Sequence, residues 1–161
     1  MTGAGRDRDR AGRLHNARPR DGLGRPLPRS AAGEPRVPGD LALPPGESLD
    51  LADAMLAAGR PFHAHEVLEA SWKSAPAAER DFWQGLAQLA VGLTHARRGN
   101  IRGAVALLRR GAAAIRPFAD AGPHGVAAAR LADDADGLAD RIEREGVAPA
   151  GPPALVLRLR P

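Results

Sequence analysis

The sequence predicts an all-α protein: a small helical bundle with one central helix surrounded by others, preceded by a disordered N-terminal arm. Three observations carry this. From Glu47 onward alanine, leucine and charge recur at helical spacing. The prolines fall between these periodic segments. No stretch shows sustained strand alternation or an internal repeat.

Before Glu47 the composition is different. Residues 1–46 hold 7 prolines, 8 glycines, 9 arginines and 5 acids, too little apolar surface to offset the entropy of ordering them. The chain thus divides into an arm (1–46), a helical domain (47–146) and a proline-rich tail (147–161). The arm carries the whole formal charge of +4, because the rest has 14 basic and 14 acidic side chains. The high pI therefore does not mark a nucleic-acid-binding fold. Having no cysteine, the chain cannot build disulfides, thiolate zinc sites, iron–sulfur clusters or cysteine nucleophiles.

The first helix is expected from Ser48, as N-cap, to Ala58, with Leu51, Met55 and Leu56 along one stripe before Gly59. Pro61 suits the opening turn of a second, Pro61 to Lys73. The third begins near Pro76, has Glu79 and Asp81 early where they complement the helix dipole, and ends in Arg97, Arg98 and Gly99. It has no charge from Phe82 to Ala96 with His95 neutral, which makes it the central helix. Asn100 caps a fourth helix, Ile101 to Arg116, ended by Pro117. A fifth spans Pro123 to Glu145. Residues Leu155 to Leu159 read as a loose tail or an edge strand.

The second helix holds the most informative pattern, Phe62-His63-Ala64-His65-Glu66-Val67-Leu68-Glu69-Ala70-Ser71-Trp72. His65, Glu69 and Trp72 stand at i, i+4 and i+7 on one face, flanked by Phe62 and Leu68. Large apolar neighbours turn that face inward, with His63 projecting the other way and Glu66 at the margin. A buried carboxylate needs a partner, and the central helix offers a stripe of Gln84, Gln88 and His95.

Three chemistries suit this set. His65, Glu69 and His95 form a two-imidazole, one-carboxylate site for a divalent metal such as zinc, supported by Glu66, Trp72, Gln84 and Gln88. The spacing is near the metalloprotease His-Glu-x-x-His, but the fifth position is Glu69, so that mechanism does not transfer. Alternatively, the same residues form a hydrogen-bonded core network in a protein- or nucleic-acid-interaction module. Third, they line a small-molecule pocket with Glu69 or His65 as acid and base.

At these residues the chain resembles the family catalogued as domain of unknown function 309. The resemblance runs over Phe62 to Glu69 with Trp72, then Gln84-Gly85-Leu86-Ala87-Gln88-Leu89-Ala90, then His95, Arg98-Gly99-Asn100 and Gly103-Ala104. The family signature, His-x-x-x-Glu-x-x-Trp and a distal His, falls on His65, Glu69, Trp72 and His95. It implies an all-helical fold with a wrapped central helix, an unassigned function and a suggested metal. Ala64 departs from the bulkier or acidic residue expected there.

No run approaches the roughly 20 apolar residues that cross a bilayer, and the first 30 positions lack a signal-peptide core, so the expectation is a cytoplasmic protein without a membrane partner. The stretch Arg6 to Arg36 is a candidate contact for nucleic acid or an acidic partner. It is diluted by Asp7, Asp9 and Asp21 and has no aromatic residue to stack on a base. Alanine-rich faces on the first and fifth helices are candidate homo-oligomer contacts.

Overall fold

A computed structural model describes residues 19–28, 30–33, 37–38, 41, 43–147 and 157–161. Residues 1–18 of the predicted arm and 148–156 of the tail lie outside these. The described residues form five α-helices: α1 (Pro45–Ala57), α2 (Pro61–Ser74), α3 (Arg80–Arg97), α4 (Ile101–Ile115) and α5 (Ala128–Glu145). Short 3-10 turns occur at Ala77–Glu79, Arg116–Phe118 and Pro123–Gly125. No strand occurs among the described residues; Arg20 and Pro26 form an isolated bridge. None of the helices described is long and apolar enough to cross a membrane.

The helices pack in chain order, α1 on α2, α2 on α3, α3 on α4 and α4 on α5, as short connections between antiparallel neighbours require. As the uncharged run predicts, α3 is central: Phe82, Trp83, Leu86, Leu89, Ala90, Leu93 and Ala96 are buried around most of its circumference. Its closest neighbour is α4. A Cβ on Gly85 would stand 2.7 Å from Ile115 Cγ2, one on Gly92 would stand 2.9 Å from Leu108 Cγ, and one on Gly111 would stand 2.8 Å from the Gly85 carbonyl. Glycine on both helices lets the two backbones approach where larger residues would hold them apart.

Asn100 caps α4 as its sequence position predicts, its Oδ1 accepting from Gly103 N–H at 3.0 Å. Other boundaries differ. The first helix starts at Pro45, so Ser48 lies inside it and is buried rather than capping. Its buried stripe is Ser48, Leu49, Ala52 and Leu56, which leaves Leu51 and Met55 half-buried. Before the third helix stands a 3-10 turn, and the fifth begins at Ala128 because Gly122, His124 and Gly125 all take positive φ. Ala128, Ala132, Ala135 and Ala139 of α5 face the chain's own core. Leu157 and Leu159 are buried with them, so residues 157–161 are neither loose nor a paired strand.

Two glycines separate close packing from helix propensity. We expect Gly111→Ala to lower stability by about 1–3 kcal/mol, because overpacking outweighs the helix preference of alanine. Gly137→Ala, on α5 with nothing within 4 Å of the new Cβ, should raise it by about 0.4–1 kcal/mol. Urea unfolding of both variants checks the pair.

Candidate functional site

Because α2 is flanked by α1 and α3, its buried arc centres on small and aliphatic residues. Ala64, Val67 and Leu68 are buried, and His63 joins them at 3% exposure. Phe62, His65, Glu66, Glu69 and Trp72 stand half-buried at the edge. This corrects the sequence expectation, which turned His65, Glu69 and Trp72 inward and His63 outward. The inward arc is thus set by Ala64, Val67 and Leu68 with His63 beside them, and Phe62, His65 and Trp72 lie on its flanks.

His65 Nε2 lies 3.6 Å from Glu69 Oε2, and Lys73 Nζ lies 3.2 Å from Glu69 Oε1. The Glu69 side chain is 37% exposed, so its partner is a lysine on the helix surface rather than a dry cluster. Burial pushes the His65 imidazole below its ordinary value, with Glu69 and Glu66 offsetting part of that shift. Its Nδ1 is buried and makes no hydrogen bond among the described residues, as is also true of Gln88 Oε1.

The polar stripe of α3 faces outward more than its composition suggests. Gln84 is exposed, whereas Gln88 and His95 are half-buried. His95 Nδ1 is 3.0 Å from Asn100 Nδ2. Since Asn100 Oδ1 is already engaged by Gly103 N–H, its amide donates and His95 Nδ1 accepts. His95 thus braces the α3–α4 turn. Burial, then the Arg98 charge, hold its imidazole below the usual value. Among the described residues no three His, Asp or Glu side chains are gathered so as to hold a metal ion. His95 does not complete the His65/Glu69 pair, and these residues do not fit a three-ligand metal centre.

What the edge of α2 and the end of α3 do meet is the arm. Asp21 organises a turn, its carboxylate accepting from Leu23 N–H at 3.0 Å, Arg25 N–H at 2.9 Å and Arg25 Nε at 2.7 Å. This turn presents the Leu23 carbonyl to Arg98, whose Nε donates at 2.9 Å with a second bond from Nη2. Next to it Gly24, at φ +73°, lies against Phe62 so closely that a Cβ would fall 2.2 Å from the ring. Arg20 stacks over the same ring at 5.9 Å. Farther along, Val37 N–H donates to Glu66 Oε2 at 3.1 Å.

Of the candidate site residues, Glu66 therefore reaches the arm directly. Phe62 and Arg98 were visible in the motif but not as binding residues. Their signal was position: both stand at the end of the α2–α3 hairpin, opposite the chain that enters the domain.

Residues 49–107 match the family described as Domain of unknown function (DUF309). The chain is also similar to the uncharacterized protein YpuF of Bacillus subtilis (strain 168), at 48% identity over 48 residues. That match covers 29% of this chain and 28% of the relative. No solved structure matches. The arm segment seated on Phe62, Glu66 and Arg98 lies outside the family match.

A group whose folded pKa is depressed below its free value by burial favours the fold when neutral. For His65 that contribution is complete above the free value of 6.5 and is lost as pH falls through the folded value. His65→Gln should therefore flatten the fall in stability between about pH 7 and pH 5. The checks are urea midpoints across that range and an NMR titration of the His65 ring, whose midpoint should lie below the free value.

Proposed function

We propose that the α2–α3 edge of this chain, whose residues 49–107 match the domain of unknown function 309 family, is a groove that holds a peptide turn through main-chain contacts. Its occupant in this chain is the arm itself. One observation carries the reading: two charged groups that reach the arm, Glu66 and Arg98, bond to backbone atoms, the Val37 N–H and the Leu23 carbonyl.

Charged side chains aimed at backbone groups recognise the path of the backbone and not a particular residue type. Bonds of this kind, with one ionised partner, are stronger than neutral ones. Register comes from Gly24, the position where Phe62 leaves no room for a side chain. The motif's polar residues sit at the rim of the bundle, where they can be reached, while His63 and the aliphatic residues of α2 pack the interior. On this reading the protein is an interaction module, and its arm holds the groove until a competing segment displaces it.

Divalent metal binding by His65, Glu69 and His95 would need His95 to leave Asn100 and turn to the pair on α2, and the two readings separate experimentally. In the full chain, Gly24→Val should eject the turn from Phe62, and Arg98→Ala should loosen it. Amide exchange at residues 21–25 should accelerate about tenfold or more in each. A synthetic peptide of residues 19–28 should then bind the Gly24→Val protein and not the parent, whose groove is filled at high effective concentration. Unchanged exchange in both variants, or equal peptide binding by parent and variant, would sink the groove. A stoichiometric metal in tag-free protein, lost in both Glu69→Gln and His95→Ala, would replace it with the metal reading.

A further inference from the structure

We infer that the acidic face of α1 is a second docking site, one for peptides that alternate leucine with arginine, held closed in this chain by residues 157–161. The contacts follow the period of two of an extended chain. Leu157 and Leu159 point inward, at 4% and 0% exposure, and join the main core cluster. Arg158 and Arg160 point the other way, toward carboxylates of α1.

Asp53 sets the register. Its Oδ1 accepts from the Leu159 backbone N–H at 2.9 Å, and its Oδ2 accepts from Arg158 at 3.1 Å from Nε and 2.9 Å from Nη2. Shifting the peptide by one residue would remove that backbone bond and turn both leucines out of the core. One helical turn earlier Asp50 pairs with Arg160, which also donates to the Gly46 carbonyl at 3.2 Å and the His124 carbonyl at 3.5 Å.

The charge of α1 explains the choice of peptide. Between Pro45 and Ala57 it carries Glu47, Asp50 and Asp53 and no basic residue. A basic segment meets a uniformly acidic helix, and buried leucines supply the apolar part of the contact. The Arg158–Asp53 pair rests on a carboxylate only 13% exposed, so it is less screened than a pair between two surface side chains and holds the tail together with the two leucines and the backbone bond. Such a latch can be displaced by a segment of the same pattern.

The test uses the full chain. Leu159→Asp removes the inward anchor and should leave the α1 face open. A fluorescein-labelled peptide with the sequence of residues 157–161 should then bind this variant at least tenfold more tightly than the parent by anisotropy, and adding Asp53→Asn should abolish the gain. Equal binding by parent and Leu159→Asp, or binding indifferent to Asp53→Asn, overturns the inference. Should Leu159→Asp fail to fold by circular dichroism, the paired variant Arg158→Ala/Arg160→Ala keeps both leucines. Exchange of the Leu159 amide should then accelerate at least tenfold over the parent, and an unchanged rate overturns the inference equally.

Discussion

The arrangement of the whole molecule depends on one helix that cannot tolerate water. Between Phe82 and Ala96 α3 has no charged side chain, and its apolar residues extend around most of its circumference. Burying them requires neighbours on several sides. The tightest of these contacts is made by glycine: Gly85 and Gly92 on α3, with Gly111 on α4, bring two backbones into direct approach. With α4 held there, α5 covers α4, and α2 closes another side of α3 with α1 behind it.

That constraint fixes what the motif on α2 can do. A helix packed on two sides buries one arc, here His63, Ala64, Val67 and Leu68, while Phe62, His65 and Trp72 occupy its edge. Groups that would have formed a sealed cluster stand at a rim. At that rim they meet other parts of the chain: Glu69 meets Lys73, Glu66 meets the arm, and His95 supports the cap of α4. Both described end segments are bound in a similar way, by ionised side chains that accept from or donate to their backbone. A bundle whose interior is occupied by aliphatic packing keeps its polar chemistry for its margins.

Much of this was legible from the residues. The number and order of helices followed from apolar period and proline placement, and Asn100 read correctly as a cap because a side-chain oxygen three residues before Gly103 is a local geometry. The inward faces of α1 and α2 were not legible, for one reason in both. Stripe assignment ranks residues by size and hydrophobicity, which favours Met55, Phe62 and Trp72, whereas the buried arcs centre on Ala52 and Ala64 with Leu49, Leu56, Val67 and Leu68 around them. The error rotated His65 and Glu69 inward, away from the rim where they stand. Composition likewise described the arm without indicating that its Asp21 turn rests on Phe62 and Arg98.

Sequence alone determined the helical class, the central position of α3, the α4 cap and the family resemblance, because each depends on periodicity, on neighbours within one turn, or on an ordered motif. Tertiary structure alone decided which side of α2 meets the core, that His95 turns to Asn100 rather than to Glu69, and that residues far apart in the chain, Leu23 with Arg98 and Leu159 with Asp53, come together. Those outcomes depend on the distance between helix axes. That distance is set jointly by glycines and alanines on several elements, and no single stretch of the chain contains it.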